Sequence, residues 1–429
     1  IKIDAFAPQL TRLLTICANL LRYPVGVDDM SIDRLDDIEG IRMYFLDTIE
    51  DCCRLLGGEL VLRAMGDLLQ EECRRVASSS SSSSSSSNDW HGIEGYLQSI
   101  QAVSMYVPSD EQRVIPFVMS LITQLPGDAP LLRATACQTV GKYAAWLGLQ
   151  PTYLQPLLPY LAQGLSIPKC AAAAAVAIRE ICERCDSLGD TVLQLYDGIV
   201  AAREQHRTSS VGSGEDFILD LKNELEVLEG VCKAVSNKLV NEPSIINHLA
   251  QPIINNLKAI ATSDIAASPK QVSAEVCRLT TLIQYLRLPP ATSHHAAGTL
   301  NRSDFILSLM RETWPMLDAI SQKCPRDFNF CEKLCRLHKH SLRECGPAHY
   351  APLLESLVEQ TVRNFSTSFS SPYLYLASII VSEYGRDPAQ SQLMYEMVAN
   401  LSSAVFSALR TTNDFIAHPD VVEEFFFMI

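Results

Sequence analysis

Four cations, Lys333, Arg336, Lys339 and Arg343, recur every three or four residues in the stretch 330–345, FCEKLCRLHKHSLREC. Guanidinium and ammonium groups at that spacing bind anions: Arg offers a planar two-donor fork to carboxylate or phosphate, and Lys a compact point charge. At about 100° per residue, Phe330, Cys331, Leu334, Cys335, Leu337, His338, Leu342 and Cys345 gather on one side of a helix, and the four cations with His340 gather on the other. The bland alternative is an amphipathic helix whose polar face is merely solvated. Against it stands the near single sign of that face, which has Glu332 and Glu344 only near its ends. Like charges one turn apart cost a few tenths of a kcal/mol per pair, and a polyanionic partner removes that cost.

A second charged stretch has the opposite sign. Asp28, Asp29, Asp33, Asp36, Asp37 and Glu39 fall together and read as an acidic connector, either a solvated loop or a docking site for a basic protein. Signatures of catalysis and of cofactor binding are missing. Gly212-Ser213-Gly214 lies in a polar loop and not between a strand and a helix, so it is no phosphate cradle. Cys182-Glu183-Arg184-Cys185 has half the spacing of a zinc site without a second half, and Cys331 and Cys335, one turn apart, read as small core hydrophobes. His294-His295 has no acidic or thiol neighbour in sequence, and no GxSxG elbow is present. The expectation is a protein that is not an enzyme and uses no cofactor or metal.

These faces need a scaffold. The 429 residues exceed one compact core, so the chain either divides into domains or is a repeat array. A formal charge of -14 argues against DNA or an anionic membrane as partner and for partners with basic surfaces. No apolar run reaches bilayer-spanning length. The first residue is Ile1, and IKIDAFAPQLTRLL is amphipathic, unlike a signal peptide; the chain is expected to begin inside a longer protein. Fourteen Cys scattered singly fit reduced thiols of the cytosol or nucleus better than a disulfide framework.

Helical periodicity runs through almost the whole chain. Helices are expected at 3–21, 38–56 and 59–77, then at 89–106, 111–125, 130–147, 151–165, 168–185, 191–203, 216–237, 243–262, 269–286, 304–324, 350–364, 371–384 and 389–409, with no sustained strand alternation. The serine run 78–87 has no side chain to bury and reads as a spacer. Helices paired every 40 to 60 residues or so across short turns imply an all-α solenoid of HEAT repeats, about nine antiparallel helix pairs, over residues 1–429. Stacked pairs curve, the second helices line the inner wall, and the basic helix is second in its pair.

Several stretches resemble a known family. SPYLYLASIIVSEYG at 371–385, NDFIAHPDVVEEFF at 413–426, Asp89-Trp90 opening the helix that runs to Tyr106, LLRATACQTVG at 131–141, the LAQGL and AIREIC segments of 153–185, and ETWPML at 312–317 are similar to transportin-SR and importin-13, nuclear transport receptors of the importin-β superfamily. The resemblance keeps register over essentially the whole chain and identifies it as the central to C-terminal part of such a receptor. It implies a shuttling import receptor of cytoplasm and nucleus that carries Arg/Ser-repeat splicing proteins, releases them to GTP-bound Ran, and meets FG-repeat nucleoporins. It also implies that Lys333, Arg336, Lys339 and Arg343, with His340, match the arginine-rich cargo helix of transportin-SR, whereas importin-13 is less basic there. Lys at 333 and 339 departs from Arg and lacks its fork. The acidic residues Asp28, Asp29, Asp33, Asp36 and Asp37 are the expected contact for Ran or a basic cargo segment. A HEAT scaffold without transport activity is the rival reading.

Overall fold

The computed structural model describes residues 6–79, 90–185, 188–209, 219–239, 242–263, 268–288 and 301–429. Among them every regular element is a helix. Their contacts gather into two compact units, Ile1–Ala234 and Val235–Ile429.

The first unit contains α1 (Ala7–Leu20), α2 (Ile32–Leu56), α3 (Gly58–Ser79), α4 (His91–Ala102), α5 (Ile115–Ile122), α6 (Pro130–Lys142), α7 (Ala144–Leu149), α8 (Leu154–Gly164), α9 (Ala171–Arg184) and α10 (Gly189–Ser209), with most of α11 (Leu221–Val235). Pro at the first turn opens several of them, where its missing N–H costs no hydrogen bond. Packing runs from α3 to α4, α6 and α9 in a row, with α8 and α7 laid against α6 and α9. The row is closed by small side chains: a Cβ on Gly141 would lie 3.0 Å from the Ala177 backbone, so α6 and α9 approach as closely as they do only because Gly141 lacks one.

The second unit contains α12 (Ser244–Thr262), α13 (Pro269–Tyr285), α14 (Arg302–Lys323), α15 (Phe328–Cys345), α16 (Pro347–Ser368), α17 (Pro372–Tyr384), α18 (Ser391–Ala408), α19 (Thr412–Ala417) and α20 (Pro419–Met428). It is two-layered: α12, α14, α16 and α18 follow one another in one layer, and α13, α15, α17 and α20 in the other. The second layer is packed more closely than the first. These stacked pairs are the HEAT-like arrangement that the periodicity implies, and the architecture is an all-α solenoid.

Local chemistry sets the ends of α15, the helix of interest. Asp327 accepts a hydrogen bond from the Phe330 amide at 2.7 Å, an N-cap that satisfies an otherwise orphan donor. The helix stops at Gly346, whose φ of +84° strains any residue with a Cβ, and Pro347 begins the next helix.

Several boundaries differ from the sequence reading, α10 among them, which runs to Ser209 where 203 was expected. The acidic stretch is no connector: Asp33, Asp36, Asp37 and Glu39 lie inside α2, which starts at Ile32, six residues earlier than expected. Carboxylates near a helix N-terminus meet the positive end of its dipole, so the charges that suggested a loop favour the helix start instead. The stretch 130–147 is broken at Tyr143 into α6 and α7, and the last four residues of the stretch expected to reach Tyr106 include a 3-10 turn at Ser104–Tyr106. Of the serine run, Ser78 and Ser79 finish α3 and the remainder lies outside the described residues, as do Gly212–Gly214 and His294–His295.

Candidate functional site

The burial pattern of α15 matches its amphipathic reading side chain by side chain. Phe330, Cys331, Leu334, Cys335, Leu337, His338, Leu342 and Cys345 are all buried, between α13, α14 and α17. Arg336 and Arg343 are exposed, and Lys333, Lys339 and His340 are half-buried at the edges of the same outward strip. The fold thus brings all five expected anion-binding residues to one surface.

The structure also decides how free each one is. Lys333 Nζ lies 2.6 Å from Glu332 Oε2 on its own helix. Lys339 Nζ donates to the Tyr375 hydroxyl at 2.9 Å and sits 5.1 Å from the centre of that ring, a cation–π placement. Arg343 Nε lies 3.3 Å from Glu383 Oε1, through one donor of its five, and the side chain stays 47% exposed. Arg336 makes no polar contact with any described residue. Glu344, the remaining carboxylate of the helix, is held 2.8 Å from Arg302. The strip is therefore not four free cations: its centre is open, and its flanks are lightly tied to carboxylates or to a phenol. Exposed pairs of this kind are worth about 0–1 kcal/mol, so an incoming anion can rearrange them.

His340 differs in kind from its neighbours. The Gln284 amide of α13 is 3.0 Å from its Nε2. Burial, then the adjacent Lys339, Arg336 and Arg343, hold its imidazole down at about 4. At neutral pH it is an uncharged hydrogen-bonding group, and counting it with the cations overstates the charge of the strip. His338, on the buried face beside Trp314, is likewise lowered to about 4, chiefly by burial.

Tyr375 and Glu383, the α17 residues that touch the strip, were not legible as site residues. They lie 36 and 40 residues beyond their partners, and no spacing rule links them. The Asp residues of the other candidate patch stand differently. Asp29, Asp33, Asp36 and Asp37 are exposed and form no ion pair with any described residue, while the side chain of Asp28 lies outside the description. Glu39 is tied to Arg42 and Tyr23. Cys182 and Cys185 are buried in the core. Among the described residues no group of His, Cys, Asp and Glu is placed to hold a metal, and no helix is long and apolar enough to cross a membrane.

Comparison with known proteins bears on this geometry. Residues 112–196 match the family model of the transportin-3/importin-13 third TPR domain, and residues 306–409, which contain α15 and α17, match that of the fourth. Transportin MOS14 of Arabidopsis thaliana is 23% identical over 100% of this chain and 42% of its own length. Importin-13 of Homo sapiens is 20% identical over 98% of this chain and 43% of its own length, and the mRNA transport regulator MTR10 of Saccharomyces cerevisiae 20% over 89% and 37%. The chain thus spans less than half the length of these relatives. Among solved structures, importin-13 in its cytosolic state superposes with a TM-score of 0.78 at 20% identity, covering 99% of this chain and 46% of that one. Importin β gives 0.57 at 16% identity, covering 96% and 47%. Two consecutive domain types of the transportin-3/importin-13 group are thus matched in order, at residues 112–196 and 306–409, and the chain is similar to members of that group over nearly its whole length.

Proposed function

We propose that this chain is the cargo-holding part of a nuclear import receptor, and that the exposed strip of α15 receives the phosphates of an Arg/Ser-repeat segment. The observation that carries this reading is the open cationic centre at Arg336, flanked by Lys333, Lys339 and Arg343, in a chain whose formal charge is -14. Two further observations support it. The strip lies on the layer of its unit formed by α13, α15, α17 and α20, the layer of second helices that a curved stack is expected to turn inward. The relatives named above include a transportin, an importin and an mRNA transport regulator.

The receptor shuttles between cytoplasm and nucleus, passes FG-repeat nucleoporins, and releases its Arg/Ser-rich splicing-protein cargo on meeting GTP-bound Ran. The exposed Asp29, Asp33, Asp36 and Asp37, with Asp28 beside them, form a second contact, for Ran or for a basic cargo segment. Each charge-assisted contact to phosphate contributes roughly 1–3 kcal/mol before the ordering of a disordered ligand is subtracted.

The test is a titration of phosphorylated and unphosphorylated Arg/Ser peptides against the chain and its Arg336→Ala/Arg343→Ala variant. At least a tenfold loss of phosphopeptide affinity with an unchanged melting temperature is expected. Equal loss of fold and binding makes the helix structural. A full-length receptor that keeps its cargo in the presence of Ran-GTP is a HEAT scaffold instead.

A further inference from the structure

The polar partners that α17 supplies to α15 point to how this surface tells its ligand from a plain polyanion. Two cross-helix contacts join a cation of α15 to a group of α17 that itself binds cations: Lys339 to the ring and hydroxyl of Tyr375, and Arg343 to the carboxylate of Glu383. Tyr375 and Glu383 lie on the same helix, about 12 Å apart along its axis, and Arg336 and Arg343 about 10 Å apart along theirs. The helices are packed neighbours in one layer, so a chain lying along the seam between them has α15 on one side and α17 on the other.

An extended peptide presents successive side chains to opposite sides, with like positions repeating every ~7 Å. In a strictly alternating sequence of arginine and phosphoserine, all phosphates then face one way and all guanidinium groups the other. Resting on the reading that α15 receives phosphates, we propose that Tyr375 and Glu383 form the opposite side of the seam and hold the cations of an alternating ligand, which makes them its specificity-determining residues. Binding is a change of partners. Glu383 passes from Arg343 to a ligand arginine, Tyr375 passes from Lys339 to another, and the released Arg343 and Lys339 take phosphates. None of Lys339, Arg343 and Glu383 is left alone at either stage. A ligand with phosphates but no cations frees the same two α15 side chains only by leaving Glu383 facing an anion, and like charges in contact oppose that.

The test uses the whole chain and three synthetic octapeptides: alternating arginine and phosphoserine, alternating glycine and phosphoserine, and a block isomer with four arginines followed by four phosphoserines. Wild type is expected to bind the alternating charged peptide at least tenfold tighter than the other two. Glu383→Gln is expected to weaken that peptide about fivefold and to strengthen the glycine peptide; Tyr375→Ala weakens the charged peptide, and Tyr375→Phe recovers most of the loss because the ring remains. If Glu383→Gln strengthens or leaves unchanged both peptides while Arg336→Ala still weakens them, Glu383 is only a competitor: the two-sided seam is overturned and the phosphate-binding role of α15 stands. If wild type binds none of the peptides, or Arg336→Ala changes nothing, both ideas fall together.

Discussion

The chain contains two arginine–glutamate pairs that look alike on paper. In the first unit, Arg42 of α2 meets Glu94 of α4 at 2.6 Å; in the second, Arg343 of α15 meets Glu383 of α17 at 3.3 Å. The side chains of Arg42 and Glu94 are 3% and 0% exposed, those of Arg343 and Glu383 47% and 27%. Around the buried pair both Glu94 oxygens and one guanidinium face are covered: Thr135 Oγ1 donates to Glu94 Oε1 at 2.7 Å, and the Tyr23 ring lies 3.7 Å from the Arg42 guanidinium carbon, while Arg42 Nε and Nη1 are buried without a hydrogen-bond partner among the described residues. Around the exposed pair four of the five guanidinium donors of Arg343 remain unused by any described residue. Burial turns the first pair into a joint between helices, because neither charge tolerates being left alone in the interior. Exposure leaves the second pair exchangeable, because water is a ready substitute partner.

Removing one member of each pair separates the two roles most sharply. Arg42→Ala strands the Glu94 carboxylate and is expected to cost about 3–5 kcal/mol, read as a lowered urea midpoint; replacing both residues by apolar ones of similar volume should recover most of it. A loss below 1 kcal/mol would make the buried pair as dispensable as the exposed one. The next largest effect is acid sensitivity. The folded-state value of His338 lies at about 4, below the ordinary 6.5, so between those pH values the unfolded chain binds the extra proton and stability falls as pH falls. The expected loss between pH 7 and pH 4.5 is on the order of 2–3 kcal/mol from this residue, and His338→Leu should flatten the curve. An unchanged curve in that variant would assign the acid sensitivity elsewhere.

Smaller effects belong to the exposed strip. Raising salt from about 50 to 200 mM should weaken phosphopeptide binding several-fold, while the contribution of Arg42–Glu94 to the urea midpoint stays nearly constant, since screening acts on solvated charges and little on buried ones. Smallest of all, Glu383→Gln should change the unfolding free energy by no more than about 0.5 kcal/mol. A large destabilisation there would mean that Arg343 is a structural residue, and the comparison would lose its second term.

Much of the helical frame was legible from periodicity, because apolar side chains one turn apart must find cover and leave that demand in the sequence. The buried face of α15 was legible for the same reason, down to Cys331 and Cys335 as core residues. The start of α2 was misread because clustered carboxylates carry two meanings, solvated loop and helix N-terminus, and only the backbone distinguishes them. The neutral state of His340 was also out of reach: its low value comes from burial and from three cations arranged around it, and burial is a property of neighbours.

The order of residues by itself determined which side of α15 is apolar, where its cations fall, and where Asp327 and Gly346 start and stop it, since those depend on contacts within one or two turns. Which of the cations are free was decided only by packing. Tyr375 and Glu383 approach Lys339 and Arg343 because α17 is laid beside α15, and electrostatic energy depends on distance through space and on exposure to water, neither of which is set by separation along the chain.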